Sequence, residues 1–246
     1  MKKILHLGCS WSEISPFRDN QSSPITLLNS LLKEKDKDFK IYSTASGGSS
    51  IGMQIDLLLQ ILDTDLKFDA IIFQSTTLGR GYSRNLLDFT PVSEKDFIEF
   101  TPKYPSSTVY TLRDYEYKNY HWYSTQSIVP KRHSITGKNL NTFFVFKNRI
   151  QYDENSEFFG QVLLAKKILE NSKIPFIMYG HQIIDAQRSG FPLRCYDDIR
   201  KEFDFVSAEE FDINPYCIDD GHHLSLQGNL KVAEILLPLA LDRFTS

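Results

Sequence analysis

Short apolar runs alternate along most of this chain with segments of helical period, and that alternation constrains the fold more than any other feature. Lys3-Ile4-Leu5-His6-Leu7, Phe39-Lys40-Ile41-Tyr42, Asp69-Ala70-Ile71-Ile72-Phe73-Gln74 and Pro175-Phe176-Ile177-Met178-Tyr179 have the length and composition of buried strands. Phe203 to Val206 is a shorter fifth candidate. Helices are expected over 24–33, 52–62, 156–171 and 226–241. Pro24 suits the first turn of its helix, and Met53, Ile55, Leu57, Leu58 and Ile61 form one apolar face. The 69–74 run is nearly all apolar, so both of its faces should be covered. Strand–helix–strand units of this kind close by parallel pairing. The expectation is an α/β fold, a three-layer α/β/α sandwich around a five-stranded parallel sheet, with residues 1–246 forming one domain.

The interval 81–154 breaks the pattern. It holds eight tyrosines (82, 104, 110, 115, 117, 120, 123 and 152), Trp122 and four prolines, with Phe143-Phe144-Val145-Phe146 as its main apolar run. It is an aromatic-rich insertion between the third and fourth strands. Ligands of open α/β sheets bind at the carboxyl ends of the strands. Its aromatics would therefore either line a substrate cleft or pack on the core as a lid.

Bulk composition excludes several classes. Hydrophobic residues at 41% and charged residues at 24% describe a globular protein. A formal net charge of −3 gives no reason to expect a nucleic-acid or membrane partner. The apolar run after Met1-Lys2-Lys3 breaks at His6-Leu7-Gly8, short of a secretion signal, so a cytoplasmic protein is expected. Cys9, Cys195 and Cys217 are widely spaced and odd in number, which argues against a disulfide framework or a structural zinc. No metal-ligand spacing, phosphate loop or dinucleotide fingerprint occurs, and no cofactor or metal is expected.

Two stretches at opposite ends of the chain carry chemistry. Gly8-Cys9-Ser10-Trp11-Ser12 follows the first strand, and Asp219-Asp220-Gly221-His222-His223-Leu224-Ser225 precedes the last helix. A carboxylate three residues before a histidine can reach that imidazole's Nδ1, leaving Nε2 free to act as a base. A serine hydroxyl needs such a base to become a nucleophile, and Ser10 ends the first strand. Ser12 is placed to cap the following turn.

These residues resemble the SGNH/GDSL hydrolase family, whose blocks are spread over a flavodoxin-like domain. The family's G-D-S-x-S matches residues 8–12 with Cys9 in place of Asp, and its D-x-x-H matches Asp220 and His223. The frame Asp219/His222 also fits D-x-x-H, but only Asp220/His223 sets Gly221, Ser225 and Gly228 in the family's positions. The resemblance implies a Ser10–His223–Asp220 triad, with the backbone of Gly48 in the oxyanion hole. The block-two Asn is absent, Ser43 standing nearest its place. So is the block-three Asn, for which Thr76 or Gln74 would substitute, with Arg80 as a substrate contact. The resemblance covers about residues 1–80 and 155–246. It implies a serine esterase acting on a small acyl ester, with an O-acetylated carbohydrate as the candidate substrate. An O-acyltransferase with the same triad, or a non-catalytic glycan-binding or assembly protein, is the alternative.

Three other residues compete for attention. Gly48-Ser49-Ser50-Ile51-Gly52 matches the G-x-S-x-G elbow of α/β-hydrolases, but too little chain precedes it to build that fold. His181, after the fourth strand, is expected to be structural or at the surface. Cys9 is expected to be a small buried core residue rather than a nucleophile.

Overall fold

The computed structural model describes residues 1–9, 11–12, 22–46, 49–76, 80–84, 92–101, 108–112, 120–124, 154–181, 196–218 and 223–245, with the backbone alone at 80–84, 120–124, 154–157 and 196. Every strand and helix expected from the apolar pattern is present. The strands are β1 (Lys2–Leu7), β2 (Phe39–Ser43), β3 (Ala70–Ser75), β4 (Arg80–Arg84), β5 (Phe97–Phe100), β6 (Val109–Leu112), β7 (Tyr120–Ser124), β8 (Phe176–Gly180) and β9 (Phe205–Val206). The helices are α1 (Pro24–Glu34), α2 (Ile51–Leu62), α3 (Glu154–Ser172), α4 (Tyr196–Arg200), α5 (Ser207–Glu210) and α6 (Leu226–Phe244).

The main sheet has seven strands in the order β5-β6-β2-β1-β3-β8-β9. Its parallel core β2-β1-β3-β8-β9 is the five-stranded arrangement expected from the sequence. The insertion adds the other two: β6 runs parallel to β2, and β5 closes the edge antiparallel to β6. It also supplies the separate antiparallel pair β4–β7. The sequence reading missed β5 and β6 because each is four residues long and β5 leaves Ile98 and Glu99 exposed. Tyr110 of β6 stacks on Tyr42 of β2 with ring centroids 4.9 Å apart, so this insertion aromatic packs on the sheet.

Period-two alternation sends the strand side chains to two separate cores. Leu5, Leu7, Ile71, Phe73 and Met178 pack against α2 and α3. Ile4, Ile41, Ile72, Ile177 and Tyr179 pack against α1 and α6 on the other side. The three-layer sandwich follows directly. Among the described residues, no helix is long and apolar enough to cross a membrane.

On the α1/α6 side the alternation changes character near the carboxyl ends of the strands. The next inward positions after Ile41, Ile4, Ile72 and Ile177 are Ser43, His6, Gln74 and Tyr179, all buried. They lie on four adjacent strands, with His6 opposite Ser43 and Gln74 opposite Tyr179. A band of hydrogen-bonding groups thus replaces the apolar core just beneath the end of the sheet where ligands bind.

Candidate active site

β1 ends beneath a four-residue turn. The Ser12 N–H donates to the Cys9 carbonyl at 3.0 Å, so Ser12 is folded back over Cys9 at the carboxyl edge of the sheet. Cys9 is fully buried and bridges to Ser46 in the parallel sense, continuing the β1–β2 pairing. Its expected place as a small core residue is the observed one. The proposed nucleophile, Ser10, lies outside the described residues, as do Gly48, Asp219, Asp220, His222 and the side chain of Arg80. What the structure describes is the frame around them.

The β2–α2 connection is tied to that frame. The Thr44 N–H donates to the His6 carbonyl at 2.8 Å, and the Ser46 N–H donates to the Gly8 carbonyl at 3.4 Å. The Ser49 hydroxyl donates to the same Gly8 carbonyl at 2.7 Å. The residues flanking Gly47 and Gly48 are therefore both fastened to the start of the 8–12 segment. Ser50, the nucleophile of the competing elbow motif, is buried and caps α2, its hydroxyl accepting the Met53 N–H at 3.2 Å. That is a helix-capping geometry.

Gln74 reaches into the turn from β3. Its Oε1 accepts the Cys9 N–H at 3.2 Å and the Ser12 hydroxyl at 2.5 Å. The Ser12 side chain, read from sequence as a cap for the next turn, directs its proton inward to this oxygen. Gly8 leaves the room this requires: a Cβ there would lie 2.9 Å from the Gln74 oxygen and would collide with the Ser12 hydroxyl. Thr76, the other candidate oxyanion donor, follows β3 and is buried, its carbonyl accepting the Ser75 hydroxyl at 3.1 Å.

The segment before α6 brings His223 to the same end of the sheet, beside His181. Cys217 and Leu224 bridge antiparallel, the Ile218 N–H donates to the His223 carbonyl at 2.8 Å, and the Ser225 N–H donates to the Tyr216 carbonyl at 2.6 Å. These bonds hold Tyr216, Cys217 and Ile218 against Ser225, Leu224 and His223. Ser225 caps α6, accepting the Gly228 N–H, and Asn229 ties the helix to the Ser22 carbonyl at 2.9 Å. Gly228 is required by packing, since a Cβ there would lie 2.9 Å from that of Tyr216. Ser225 and Gly228, singled out in the sequence, are the cap and a closely packed position in the first turn of α6.

His181 belongs to the site's surroundings rather than the surface. It is 2% exposed, and its ring sits 4.5 Å from that of Trp11, the residue next to Ser10. Burial and the nearby His223 push its imidazole down to about 3, so His181 is neutral at neutral pH and lies close to the proposed base. Its Nε2 is buried without a hydrogen-bond partner among the described residues. The sequence signal was its place directly after a buried strand, at the end of the sheet where sites gather. Which other residues that end brings near it is a tertiary matter.

His6 forms the floor. Its Nδ1 shares a 2.8 Å hydrogen bond with Ser43 Oγ, and burial pushes the imidazole down to about 3. Tyr179 lies beside Ser12 without completing a hydrogen bond to it, and burial raises its phenol well above the ordinary value. Among the described residues, no group of three or more His, Cys, Asp or Glu is placed to hold a metal ion.

Comparison with known proteins agrees with this arrangement at the level of the fold. No family model matches the chain, and no curated protein matches it. Solved structures do. TesA is similar with a TM-score of 0.54 and 11% identity, over 97% of this chain and 98% of its own. A carbohydrate esterase family 3 protein from Talaromyces cellulolyticus gives a TM-score of 0.51 at 11% identity, over 98% and 97%. The lipase/acylhydrolase from Enterococcus faecalis gives 0.50 at 11%, over 98% and 95%. The chain shares its three-layer α/β/α fold with these structures, and that is the fold class expected from the sequence.

Proposed function

We propose that this chain is a serine-dependent esterase acting on a small acyl ester through an acyl-enzyme at Ser10, with an O-acetylated carbohydrate as the substrate. The reading is supported by the described residues that flank the proposed site: Ser12 bonds to Gln74, Ser46 and Ser49 bond to Gly8, and His223 lies near His181, all at the carboxyl ends of neighbouring strands.

In this reading His223 takes the Ser10 proton as the hydroxyl attacks the ester carbonyl, and Asp220 orients His223 and stabilises the imidazolium. The backbone N–H groups of Ser10 and Gly48, with Thr76 or the Gln74 amide, hold the oxyanion that forms. His223 then returns the proton to the leaving alcohol, and water releases the acyl group. Arg80, at the head of β4, is assigned to substrate binding. An acceptor hydroxyl in place of water would make the same intermediate a transferase intermediate. The carbohydrate assignment is supported by the likeness to a carbohydrate esterase family 3 structure and by the aromatic insertion.

A fluorophosphonate probe tests the core of this proposal without a known substrate. Wild type and Ser50→Ala are expected to label, and Ser10→Ala is not. Labelling that survives Ser10→Ala, or a wild type that never labels, would overturn it; the second result favours a glycan-binding protein. Release of acetate from acetylated sugars tests the substrate class.

A further inference from the structure

We propose that Gln74 is a positioning residue, holding the nucleophile-bearing turn by its amide oxygen. The inference rests on Ser10 as the nucleophile. A single oxygen, with two lone pairs, accepts from both ends of the turn: the Cys9 N–H at 3.2 Å and the Ser12 hydroxyl at 2.5 Å. A backbone bond, Ser12 N–H to Cys9 carbonyl at 3.0 Å, ties the same two residues to each other.

Donor chemistry fixes which way the amide points. The Cys9 backbone N–H can only donate, so the atom facing it must be an acceptor, and only the amide oxygen qualifies. Gln74 is 1% exposed, so water does not compete for either bond and both act in a low-dielectric interior. Gly8 completes the arrangement, since any side chain there would meet the Gln74 oxygen. Gln74 also arrives from β3, the strand hydrogen-bonded to β1, so the turn is located relative to the sheet and not only to itself.

Geometric control of a nucleophile is worth a great deal: a misplacement of about 1 Å can cost on the order of 10²-fold in rate. The expected signature is a loss in kcat and in labelling rate with little change in KM.

The test compares Gln74→Met and Gln74→Glu with wild type and Ser10→Ala. The readouts are the second-order rate of fluorophosphonate labelling and the kcat and KM for 4-nitrophenyl acetate. Glutamate keeps an acceptor oxygen at the same reach, whereas methionine keeps the length and removes the acceptor. Gln74→Met is expected to lower kcat and the labelling rate by about 10- to 100-fold, with KM within about threefold. Gln74→Glu is expected to restore most of that rate.

Equal losses in the two variants would overturn the proposal in favour of an oxyanion role for the amide N–H group. An unchanged Gln74→Met would reduce the residue to packing. Thermal melting checks that each variant folds. If Gln74→Met does not, Ser12→Ala removes one of the two bonds from the other end; a rate loss of about 3- to 10-fold supports the clamp, and no loss overturns it. Labelling that persists in Ser10→Ala identifies failure of the nucleophile assignment itself, independently of the Gln74 series.

Discussion

His6 and His181 are neutral imidazoles sealed into the protein, and each is pushed to about 3 by burial, His181 also by His223. An unfolded chain protonates histidine near its ordinary value of about 6.5, whereas the folded chain cannot until far lower pH. The unfolded state therefore binds more protons as pH falls below about 6.5, so folding stability is full above that value and is lost progressively toward pH 3. Between pH 7 and pH 5 each histidine is expected to remove about 2 kcal/mol. Urea denaturation at the two pH values checks this: His181→Asn should lose about 2 kcal/mol less between them than wild type. At this scale the sequence was informative about residue type and silent about neighbours. Cys9 was legible as a core residue. The pairing of His181 with Trp11, and of Gln74 with Cys9 and Ser12, joins residues far apart in the chain, and no local spacing encodes it.

Helices and strands were the most legible level, for a physical reason. β1, β2, β3 and β8 are buried on both sides and are written as nearly continuous apolar runs. β5 and β6 lie at one end of the sheet, where half of β5 faces solvent and its residues need not be apolar. The starts of α1, α2 and α6 are capped, Ser23, Ser50 and Ser225 each accepting an N–H of the first turn. Ser50 illustrates why a motif must be read in its element: the G-x-S-x-G match is satisfied by a serine whose hydroxyl is spent on the Met53 N–H. Ser50→Ala is accordingly expected to cost about 1 kcal/mol of stability, measured by chemical denaturation, while fluorophosphonate labelling persists.

The whole molecule is asymmetric from one end of the sheet to the other. Its amino ends are bolted together. Lys2 Nζ donates to the Phe244 carbonyl at 2.8 Å, Arg243 donates to the Phe176 carbonyl at 2.8 Å, and Arg243 pairs with Asp204 at 2.6 Å. Asp204 in turn accepts the Met178 N–H at 2.8 Å, so the last turn of α6 is joined to β1, β8 and the approach to β9. The proposed chemistry lies at the opposite, carboxyl ends. Arg243→Met is therefore expected to cost about 1–3 kcal/mol of stability, read as a lower urea midpoint, without changing the rate at which Ser10 is labelled. A change in labelling rate would show that the two ends are coupled.

The band formed by Ser43, His6, Gln74 and Tyr179 has an evolutionary consequence. These positions face the α1/α6 core, and apolar residues there would extend it toward the rim of the sheet. Selection for heat resistance alone would favour such replacements, while selection for turnover would oppose them wherever the band supports the Ser10 turn. The conflict is local to one face. Homologues adapted to hot environments should gain their stability elsewhere in the sandwich and retain hydrogen-bonding side chains along this row. A lineage that has abandoned catalysis should lose them first.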